Sequence, residues 1–338
     1  MHALAAERMA GRMTDLRATP SPIGTGGAAT RADAAAARPL TGILLMVGAV
    51  TLFSVMSALV KAAGRIPAGE MVFFRSLGAM PVIFAWLAVT GTLSGGVRVS
   101  DWRGHAVRGV AGTCAMGLGF AGLRYLPLPE VTALRFITPV LLVILAAIFL
   151  GERFRWVRLG AVLAGLAGVV VITLPNLSAG ASSAALWGVS LTLASAGLAA
   201  VAQVSVKAMA GTERTAAIVF WFSATSAALS LLSLPFGWVV PRGWEWGAVI
   251  GAGLIGGTGQ ILLTSSYRFA DAGVLAPFTY VAMLWAIVIG WTFFSEVPTL
   301  QTLAGSALII AAGIVIVWRE RRLGGRTAER KVRAKGLQ

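Results

Sequence analysis

Charged residues are scarce in this chain, and the scarcity of particular side chains excludes several classes of protein. Asp, Glu, Lys and Arg make up 12% of 338 residues, whereas soluble domains carry about 25% because their surfaces face water. The single cysteine, Cys114, excludes an intrachain disulfide, and two histidines, His2 and His105, cannot assemble a His/Cys metal cluster. The composition therefore predicts a protein whose surface faces lipid, with no metal site and no cofactor.

Acidic residues are fewer than basic ones, 13 against 28, so the net charge is +15. A basic chain can bind nucleic acid, but that function needs a basic stripe interleaved with exposed aromatic residues. Here the Lys and Arg residues are concentrated in the tails and in short segments between apolar runs. This is the pattern of membrane orientation, and it excludes nucleic acid as a partner.

Apolar residues form long continuous runs that do not alternate with polar ones, which excludes a strand architecture. A helix needs about 20 apolar residues to cross the hydrocarbon core of a bilayer. Residues 1–39 predict a disordered tail, and residues 319–338 predict a basic tail. The runs between them predict an all-α integral membrane protein with ten spans, at 40–63, 69–90, 104–123, 128–150, 155–174, 184–209, 215–236, 245–267, 272–294 and 299–318.

The Lys and Arg residues also predict the orientation of the spans. With both termini inside, the outer side receives only a few basic residues: Lys61, Arg65, Arg124 and Arg242. The inner side receives both tails and most of the rest, including Arg98, Arg103 and Arg108 between the second and third spans. Because basic residues are retained on the cytoplasmic side, we predict a multi-pass protein of a bacterial-type inner membrane with both termini in the cytoplasm.

Two halves of the sequence repeat. Sliding the chain along itself by about 145 residues aligns Lys61 with Lys207, Arg124 with Arg268, and Glu152 with Glu296. The halves, 40–174 and 184–318, each hold five predicted helices. An odd number means that the second half enters the bilayer from the opposite side, so the repeats are inverted. Inverted repeats are typical of alternating-access carriers, whose substrate site lies near the midplane between the halves.

Glycine spacing in the eighth predicted span is typical of close helix contacts. The run GAVIGAGLIGGTGQ places Gly247 and Gly251, then Gly253 and Gly257, four residues apart. Small residues at this spacing let helix backbones approach each other in lipid, where burial of apolar surface gives little driving force. The pattern predicts close packing and does not by itself mark a binding site.

The stretch PEVTALRFITPVLLVILAAIFLGERFRWVRLGAVLAGLAGVVVI, with Pro139, the LGER turn at 150–153, and glycines 160 and 168, resembles the EamA-like branch of the drug/metabolite transporter superfamily. The second half repeats it more loosely as APFTYVAMLWAIVIGWTFFSEV, with Met283 in place of Pro139. The resemblance covers about residues 40 to 318. It implies a ten-helix permease whose cavity is lined by helices one, three, four, six, eight and nine.

Members of that superfamily move amino acids, aromatic compounds, riboflavin, nucleoside-like metabolites or drugs. The resemblance therefore implies a secondary transporter of a small organic metabolite, an exporter or an exchanger. An importer of a vitamin such as riboflavin stays open, as do a non-transporting sensor or assembly protein with this fold, and a homodimer. An enzyme is not expected, because the spans show no nucleophile, metal ligands or carboxylate pair.

Two arginines are predicted to bind substrate because a charge inside a bilayer is costly and usually faces a cavity or a partner. Arg75 and Arg135 each lie five residues beyond an acidic residue, Glu70 and Glu130, so both lie in the outer half of their spans. Snorkelling to the interface is the alternative for each. Two guanidinium groups in one cavity favour a substrate with a carboxylate or a phosphate.

Neutral residues complete the predicted site. Thr132, Thr138 and Pro139 share a helix face with Arg135, and Pro139 predicts a structural break in that helix because it removes a backbone hydrogen bond. Three further polar residues, Gln203, Gln260 and Thr264, are also predicted to bind substrate, and ordinary interhelical hydrogen bonding is the alternative for them. The aromatic residues Tyr280 and Trp285 could stack on a flat ligand, and the alternative is that they mark the membrane interface.

Charged residues at the ends of the spans have simpler interpretations. Lys61 and Lys207 are predicted to snorkel to the interface. Glu152 and Glu296 are predicted to cap the helices that follow them. No acidic residue lies in the middle of a span, which argues against a proton relay.

Overall fold

A computed structural model describes residues 39–92, 95–138, 140–141, 145, 156–177, 182–209, 212–270, 275 and 278–315. The described part is helical, with ten helices in the order that the sequence predicts: α1 Pro39–Ala62, α2 Ala68–Val89, α3 Trp102–Gly122, α4 Leu128–Arg135, α5 Trp156–Leu177, α6 Ser183–Met209, α7 Thr215–Ser230, α8 Trp244–Phe269, α9 Val281–Phe294 and α10 Leu300–Val315. A 3₁₀ turn, Leu231–Phe236, extends α7.

Five helices in the described part are long and apolar enough to cross a membrane: α1 without its first residue, α2, residues 183–206 of α6, α7 with its 3₁₀ turn, and α8. Shorter apolar helices lie in α5, α9 and α10. Helix α3 contains Arg103, His105 and Arg108, and it is the least apolar of the long helices that the structure describes. The prediction of an all-α, ten-helix membrane protein is confirmed. The domain boundaries stay a prediction, and both tails lie outside the described residues.

Helix packing follows the internal repeat. Helix α1 packs along α8, and its counterpart α6 packs along α3. Helix α2 crosses α8 where Gly78 meets Gly253, and its counterpart α7 crosses α3 where Thr225 meets Gly109. Each contact of the first repeat with α8 therefore has an equivalent contact of the second repeat with α3, under the alignment that matches Lys61 with Lys207. The chain therefore folds as two inverted five-helix repeats.

The glycine spacing in α8 predicts close helix packing at four glycines, and the structure shows it at two of them. A Cβ on Gly253 would lie 2.8 Å from the Cα of Gly78, and a Cβ on Gly257 would lie 2.7 Å from the Cα of Ala79. A Cβ on Gly251 would only touch Leu59, and one on Gly247 would meet no atom within 4 Å. The tight crossing of α2 and α8 therefore depends on Gly253 and Gly257.

Gly253→Ala is expected to destabilise the protein, whereas Gly247→Ala is expected to be neutral or stabilising. Alanine has the higher helix propensity, by about 1 kcal/mol, so both substitutions gain equally in the helix itself. Only Gly253→Ala forces a Cβ against backbone, and overpacking of this kind typically costs about 1–3 kcal/mol. Thermal unfolding of the two purified variants measures the difference. Equal midpoints would show that α2 and α8 can separate without cost.

Candidate substrate site

Two helices are interrupted at equivalent positions of the two repeats. Helix α4 ends at Arg135, a turn follows at Phe136 and Ile137, and Thr138 is helical again. In the second repeat Thr279 is helical, Tyr280 forms a turn, and α9 begins at Val281. Discontinuous membrane helices in corresponding positions of two inverted repeats are the best structural indication of a carrier's binding site.

The break in α4 has a cause in the sequence. Proline cannot donate a hydrogen bond to the carbonyl four residues before it, and its ring clashes with that carbonyl. For Pro139 that carbonyl belongs to Arg135, where α4 ends. Pro139 itself lies outside the described residues, so the structure shows the break immediately before it. The amides of Phe136 and Ile137 donate instead to Ala133 and Leu134, three residues back.

Two aromatic residues face each other across the repeats at the breaks. The rings of Phe136 and Tyr280 are edge to face with centroids 5.2 Å apart. The Tyr280 hydroxyl lies against Gly313 of α10, where an added Cβ would collide with it. Phe136 and Tyr280 are equivalent residues of the two repeats, because the spacing between them equals that between Glu152 and Glu296. Since two equivalent residues contact each other here, they lie close to the axis that relates the two halves.

Arg135 is the accessible charge of this region. Its side chain is exposed, yet its Nη1 lies 3.8 Å from where a Cβ on Gly119 of α3 would stand. Ser195 of α6 contacts the same glycine and donates a hydrogen bond of 2.6 Å to the carbonyl of Ala115. The guanidinium of Arg135 is therefore both accessible and close to α3, at the point where α6 packs on that helix.

The polar residues predicted around Arg135 differ in accessibility. Thr132 is half-buried and its hydroxyl donates to the carbonyl of Leu128 at 2.8 Å. Thr138 is buried, with 7% of its surface exposed. Gln203 is exposed on α6, eight residues beyond Ser195 toward the end that is predicted to be cytoplasmic. Arg135 and Gln203 are thus the accessible members of the predicted set on α4 and α6.

The remaining predicted residues have partners within the protein. On α8, the Thr264 hydroxyl donates to the carbonyl of Gln260 at 2.8 Å, and the Gln260 amide lies 3.5 Å from the same hydroxyl. The Trp285 indole donates to the Thr51 hydroxyl of α1 at 2.9 Å. The bonds of Gln260 and Thr264 lie within α8 and do not join two helices, whereas the bond of Trp285 joins α9 to α1.

Arg75 does not share the environment of Arg135. It is buried on α2, with 2% exposed, and its Nη2 donates to the carbonyl of Gly256 on α8 at 3.3 Å. Its guanidinium lies near the ring of Phe222, which also contacts a second buried arginine, Arg108 of α3. The assignment of Arg108 to an inner loop is wrong, because Asp101 begins α3 by accepting from the amide of Gly104 and residue 108 lies within the helix.

Ion pairs join the two repeats at one end of the bundle, which the basic residues predict to be the outer end. Lys61 pairs with Glu296 at 2.8 Å and donates to the carbonyls of Leu123 and Leu126. Glu296 also accepts from the amide of Leu128 at 2.8 Å. We call Lys61, Glu296 and a second ion pair, Arg65 with Glu245, the outer cluster.

The outer cluster corrects two expectations. Lys61 does not snorkel, because its ammonium is held by a carboxylate and two carbonyls. Glu296 does cap a helix, but it caps α4 of the other repeat through the Leu128 amide rather than the helix that follows it. Sequence spacing within one half could not reveal partners in the other. Glu152 and the side chain of Lys207 lie outside the described residues.

At the opposite end, Glu213 joins the repeats. Its carboxylate accepts from the backbone amides of Ser100 and Asp101 at 2.6 and 2.8 Å and lies 3.7 Å from His105. Burial acts to raise the pKa of Glu213, but the two backbone hydrogen bonds and His105 outweigh it and lower the pKa below its ordinary value. Glu213 therefore stays ionised and fixes the loop before α3.

Sequence reasoning missed Arg108, Phe136 and the pairing of Lys61 with Glu296. A signal for Arg108 was available, because it lies inside the predicted span 104–123 and one turn after His105. Phe136 could have been found from its alignment with Tyr280. The pairing of Lys61 with Glu296 joins residues of different repeats, and no local pattern indicates it.

Comparisons with known proteins agree in class. A profile described as the EamA-like transporter family matches residues 40–174 and 186–318. The chain is 33% identical over 281 residues to the pseudopaline exporter of Pseudomonas aeruginosa, across 82% of this chain and 95% of that protein. Identity to the riboflavin transporter of Rhizobium johnstonii is 31% over 222 residues, 65% of this chain and 72% of that protein.

A more distant relative is the S-adenosylmethionine uptake transporter of Rickettsia felis, 26% identical over 291 residues, 86% of this chain and 97% of that protein. A solved crystal structure superposes with a TM-score of 0.61 at 23% identity, across 83% of this chain and 98% of that one. That likeness shows the shared fold. The names of the relatives indicate transport rather than enzymatic chemistry.

Proposed function

The chain belongs to the EamA-like transporter family, and from this premise we propose that it exports or exchanges a small organic anion across the inner membrane by alternating access. The proposed substrate is an amino-acid-like, aromatic or other metabolite that bears a carboxylate or phosphate. The observation that carries the proposal is the accessible guanidinium of Arg135 beside the break in α4. A guanidinium presents a planar fork of donors that matches both anionic groups.

The surroundings of Arg135 suit such a molecule. Thr132 and Thr138 share its helix, and Gln203 is accessible on α6. In this proposal the anionic group binds Arg135, and the apolar or aromatic part of the substrate lies toward Tyr280 and Trp285. Arg75, Gln260 and Thr264 are buried on α2 and α8, so the proposed site at Arg135 does not include them. The apolar wall gives affinity by burial, and the few polar groups fix orientation.

Contacts join the repeats at both ends of the bundle. At one end lie the outer cluster and the Glu70 carboxylate, which accepts from the Val239 amide at 2.9 Å. At the other end Glu213 accepts from the amides of Ser100 and Asp101. In the proposed alternating-access cycle these two sets of contacts break and form again in turn. With both termini cytoplasmic, as the basic residues predict, the outer cluster lies on the external side.

The orientation is tested by reporter fusions. A reporter after residue 180 is expected to be external, and one after residue 338 is expected to be cytoplasmic, because most basic residues must then lie inside. A reversed result at either site would contradict the orientation while leaving the ten-helix fold intact.

Import is the second candidate, favoured by the relative named as an S-adenosylmethionine uptake transporter. A thermal-shift screen against amino acids, flavins, nucleosides and sugar phosphates should first identify ligands, because ligands that bind the native state raise its apparent stability. Flux of those ligands into and out of proteoliposomes then gives the direction. We expect carboxylates or phosphates to bind and to exchange. Binding without flux would support a sensor, and binding of neutral compounds alone would contradict the proposed role of Arg135.

A further inference from the structure

Two buried arginines meet at one aromatic ring inside the bundle. The guanidinium carbon of Arg75, on α2, lies 5.5 Å from the ring centroid of Phe222, and that of Arg108, on α3, lies 3.8 Å from it. Phe222 belongs to α7, so three helices contribute to the cluster. Only 2% of Arg75 and 8% of Arg108 is exposed. We refer to these three residues as the arginine pair site.

The donors of this site are incompletely used. Among the residues that the structure describes, Nε and Nη1 of Arg75 and Nε of Arg108 are buried without a hydrogen-bond partner. Within that part of the chain, Arg75 donates to the carbonyl of Gly256 at 3.3 Å. The ion pairs found among the described residues involve Lys61, Arg65 and His105, and neither buried arginine takes part in them.

Such an arrangement is unfavourable without a compensating charge. A buried cation that lacks a partner carries a large desolvation penalty, and two like charges separated by one ring also repel each other. The face of Phe222 offsets part of this cost through cation–π attraction. It leaves the in-plane N–H donors unsatisfied, and those donors are the ones that bind an oxyanion.

The backbone is shaped to hold both guanidinium groups. A Cβ on Gly256 would lie 2.9 Å from Nε of Arg75, and a Cβ on Gly112 would collide with Arg108 and approach the Phe222 ring to 2.7 Å. Gly112 and Gly256 occupy equivalent positions of the two repeats, as do Arg75 and Phe222. Gly256 thus leaves room for Arg75 of α2, and Gly112 leaves room for Phe222 of α7 and for Arg108.

We propose that Arg75, Arg108 and Phe222 form a binding site for an oxyanion, a carboxylate or a phosphate, that is separate from the site at Arg135. Arg135 lies beside Gly119 of α3, eleven residues beyond Arg108. That spacing corresponds to about 16 Å along the helix. The site goes beyond the proposed transport function, because it follows from the two unpaired cations whether or not the chain moves a substrate.

The test is anion-dependent stability of the purified full-length protein in a low-salt buffer. Inorganic phosphate serves as the probe for a free ion, and malonate serves as the probe for an organic carboxylate. Arg75→Gln and Arg108→Gln remove one guanidinium each. Arg103→Gln is the matched control, because Arg103 is exposed on the same helix as Arg108 and the change in net charge is identical.

Phosphate or malonate is expected to raise the melting temperature of the native protein and of Arg103→Gln by several degrees. Either glutamine variant at Arg75 or Arg108 should weaken the apparent affinity by about tenfold or more, because a charge-assisted bidentate contact is lost. Without added anion, the same two variants should melt above the native protein, since each removes an unpaired buried charge. A purely structural role for the cation–π contacts predicts the opposite change.

The two probes also distinguish the source of the oxyanion, with Arg135→Gln as the background so that no anion bound at Arg135 contributes. A site for a free inorganic ion responds to phosphate at least as strongly as to malonate. A site for a carboxylate group of an organic molecule responds more strongly to malonate. Either result supports the site when it is lost in Arg75→Gln or Arg108→Gln.

Arg108→Lys covers the case in which a glutamine variant does not fold. Lysine keeps the charge and loses the planar fork, so an affinity between those of the native protein and Arg108→Gln is expected. The proposal is overturned if neither probe stabilises the native protein, or if the Arg75 and Arg108 variants respond to the probes as Arg103→Gln does.

Discussion

Arg135→Gln is expected to lower the rate of substrate exchange in proteoliposomes by about 10- to 100-fold, because hydrogen bonds to charged groups contribute about 1.5–3 kcal/mol and each 1.4 kcal/mol is a factor of ten. Arg135→Lys is expected to fall between the native protein and the glutamine variant, since a point charge replaces a planar fork. The protein level in the membrane should not fall in Arg135→Gln, because removing a charge lowers the cost of insertion.

Arg124→Gln is the matched control for this experiment. Arg124 is exposed in the segment between α3 and α4, outside the spans. Its substitution therefore removes the same charge as Arg135→Gln, but at a position away from the proposed substrate site. Its exchange rate should equal that of the native protein. If Arg135→Lys also transports at the native rate, Arg135 serves as an interfacial residue, and the proposed recognition of an anion is wrong.

The second large effect is expected at the outer cluster. Lys61→Met and Glu296→Gln should each lower the melting temperature by several degrees, whereas the double variant should lose less than the sum of the two. The side chains of Lys61 and Glu296 are only 14% and 18% exposed, and residues in one polar network show interaction energies of about 0.5–3 kcal/mol. Lys61→Met also leaves the Leu126 carbonyl without its donor, whereas Glu296→Gln keeps an oxygen that can accept from the Leu128 amide and loses only the charge.

The pair Arg65 and Glu245 provides the comparison within the same cluster. The side chain of Arg65 is 39% exposed, and exposed ion pairs contribute only about 0–1 kcal/mol because water screens them. A double-mutant cycle on Arg65→Gln and Glu245→Gln should therefore give a smaller coupling. Equal coupling for the two pairs would mean that burial does not determine the strength of the outer cluster.

Loss of the Lys61–Glu296 pair should also open the cavity to the outside. Ser195 is fully buried beside Gly119, so a cysteine there in a Cys114→Ser background reports on access from the external side. Lys61→Met should raise its rate of reaction with a membrane-impermeant thiol reagent, because a closed state loses population when its own contacts are removed. An unchanged rate would place the closure elsewhere, at α4 and α9.

The positions of the helices could be predicted closely from the sequence. The span predicted at 69–90 is Ala68–Val89, and the span predicted at 245–267 is Trp244–Phe269. Apolar runs of this length have one stable solution in a bilayer, because each backbone polar group must be paired within its own helix. The break in α4 was also predictable, since the effect of Pro139 is local.

Side-chain partners could not be predicted in the same way. Lys61 at the end of a span satisfies the rule for snorkelling, and only the fold brings Glu296 within 2.8 Å of it. Arg108 was assigned to a loop because a basic residue near the start of a span fits the positive-inside rule equally well. For both residues the decisive contacts come from other helices, in the case of Lys61 from the opposite repeat.

The Lys61–Glu296 pair has a further consequence, because both residues have counterparts in the other repeat. Lys61 aligns with Lys207 and Glu296 aligns with Glu152, and the inverted repeat predicts that these counterparts lie at the opposite end of the bundle. If the halves exchange conformations during transport, we expect closure at that end to use an ion pair between the same two residue types. The free-energy difference between the two conformers is then a difference between two similar ion pairs, so neither conformer is strongly favoured. A nearly isoenergetic cycle of this kind runs in whichever direction the substrate gradient sets.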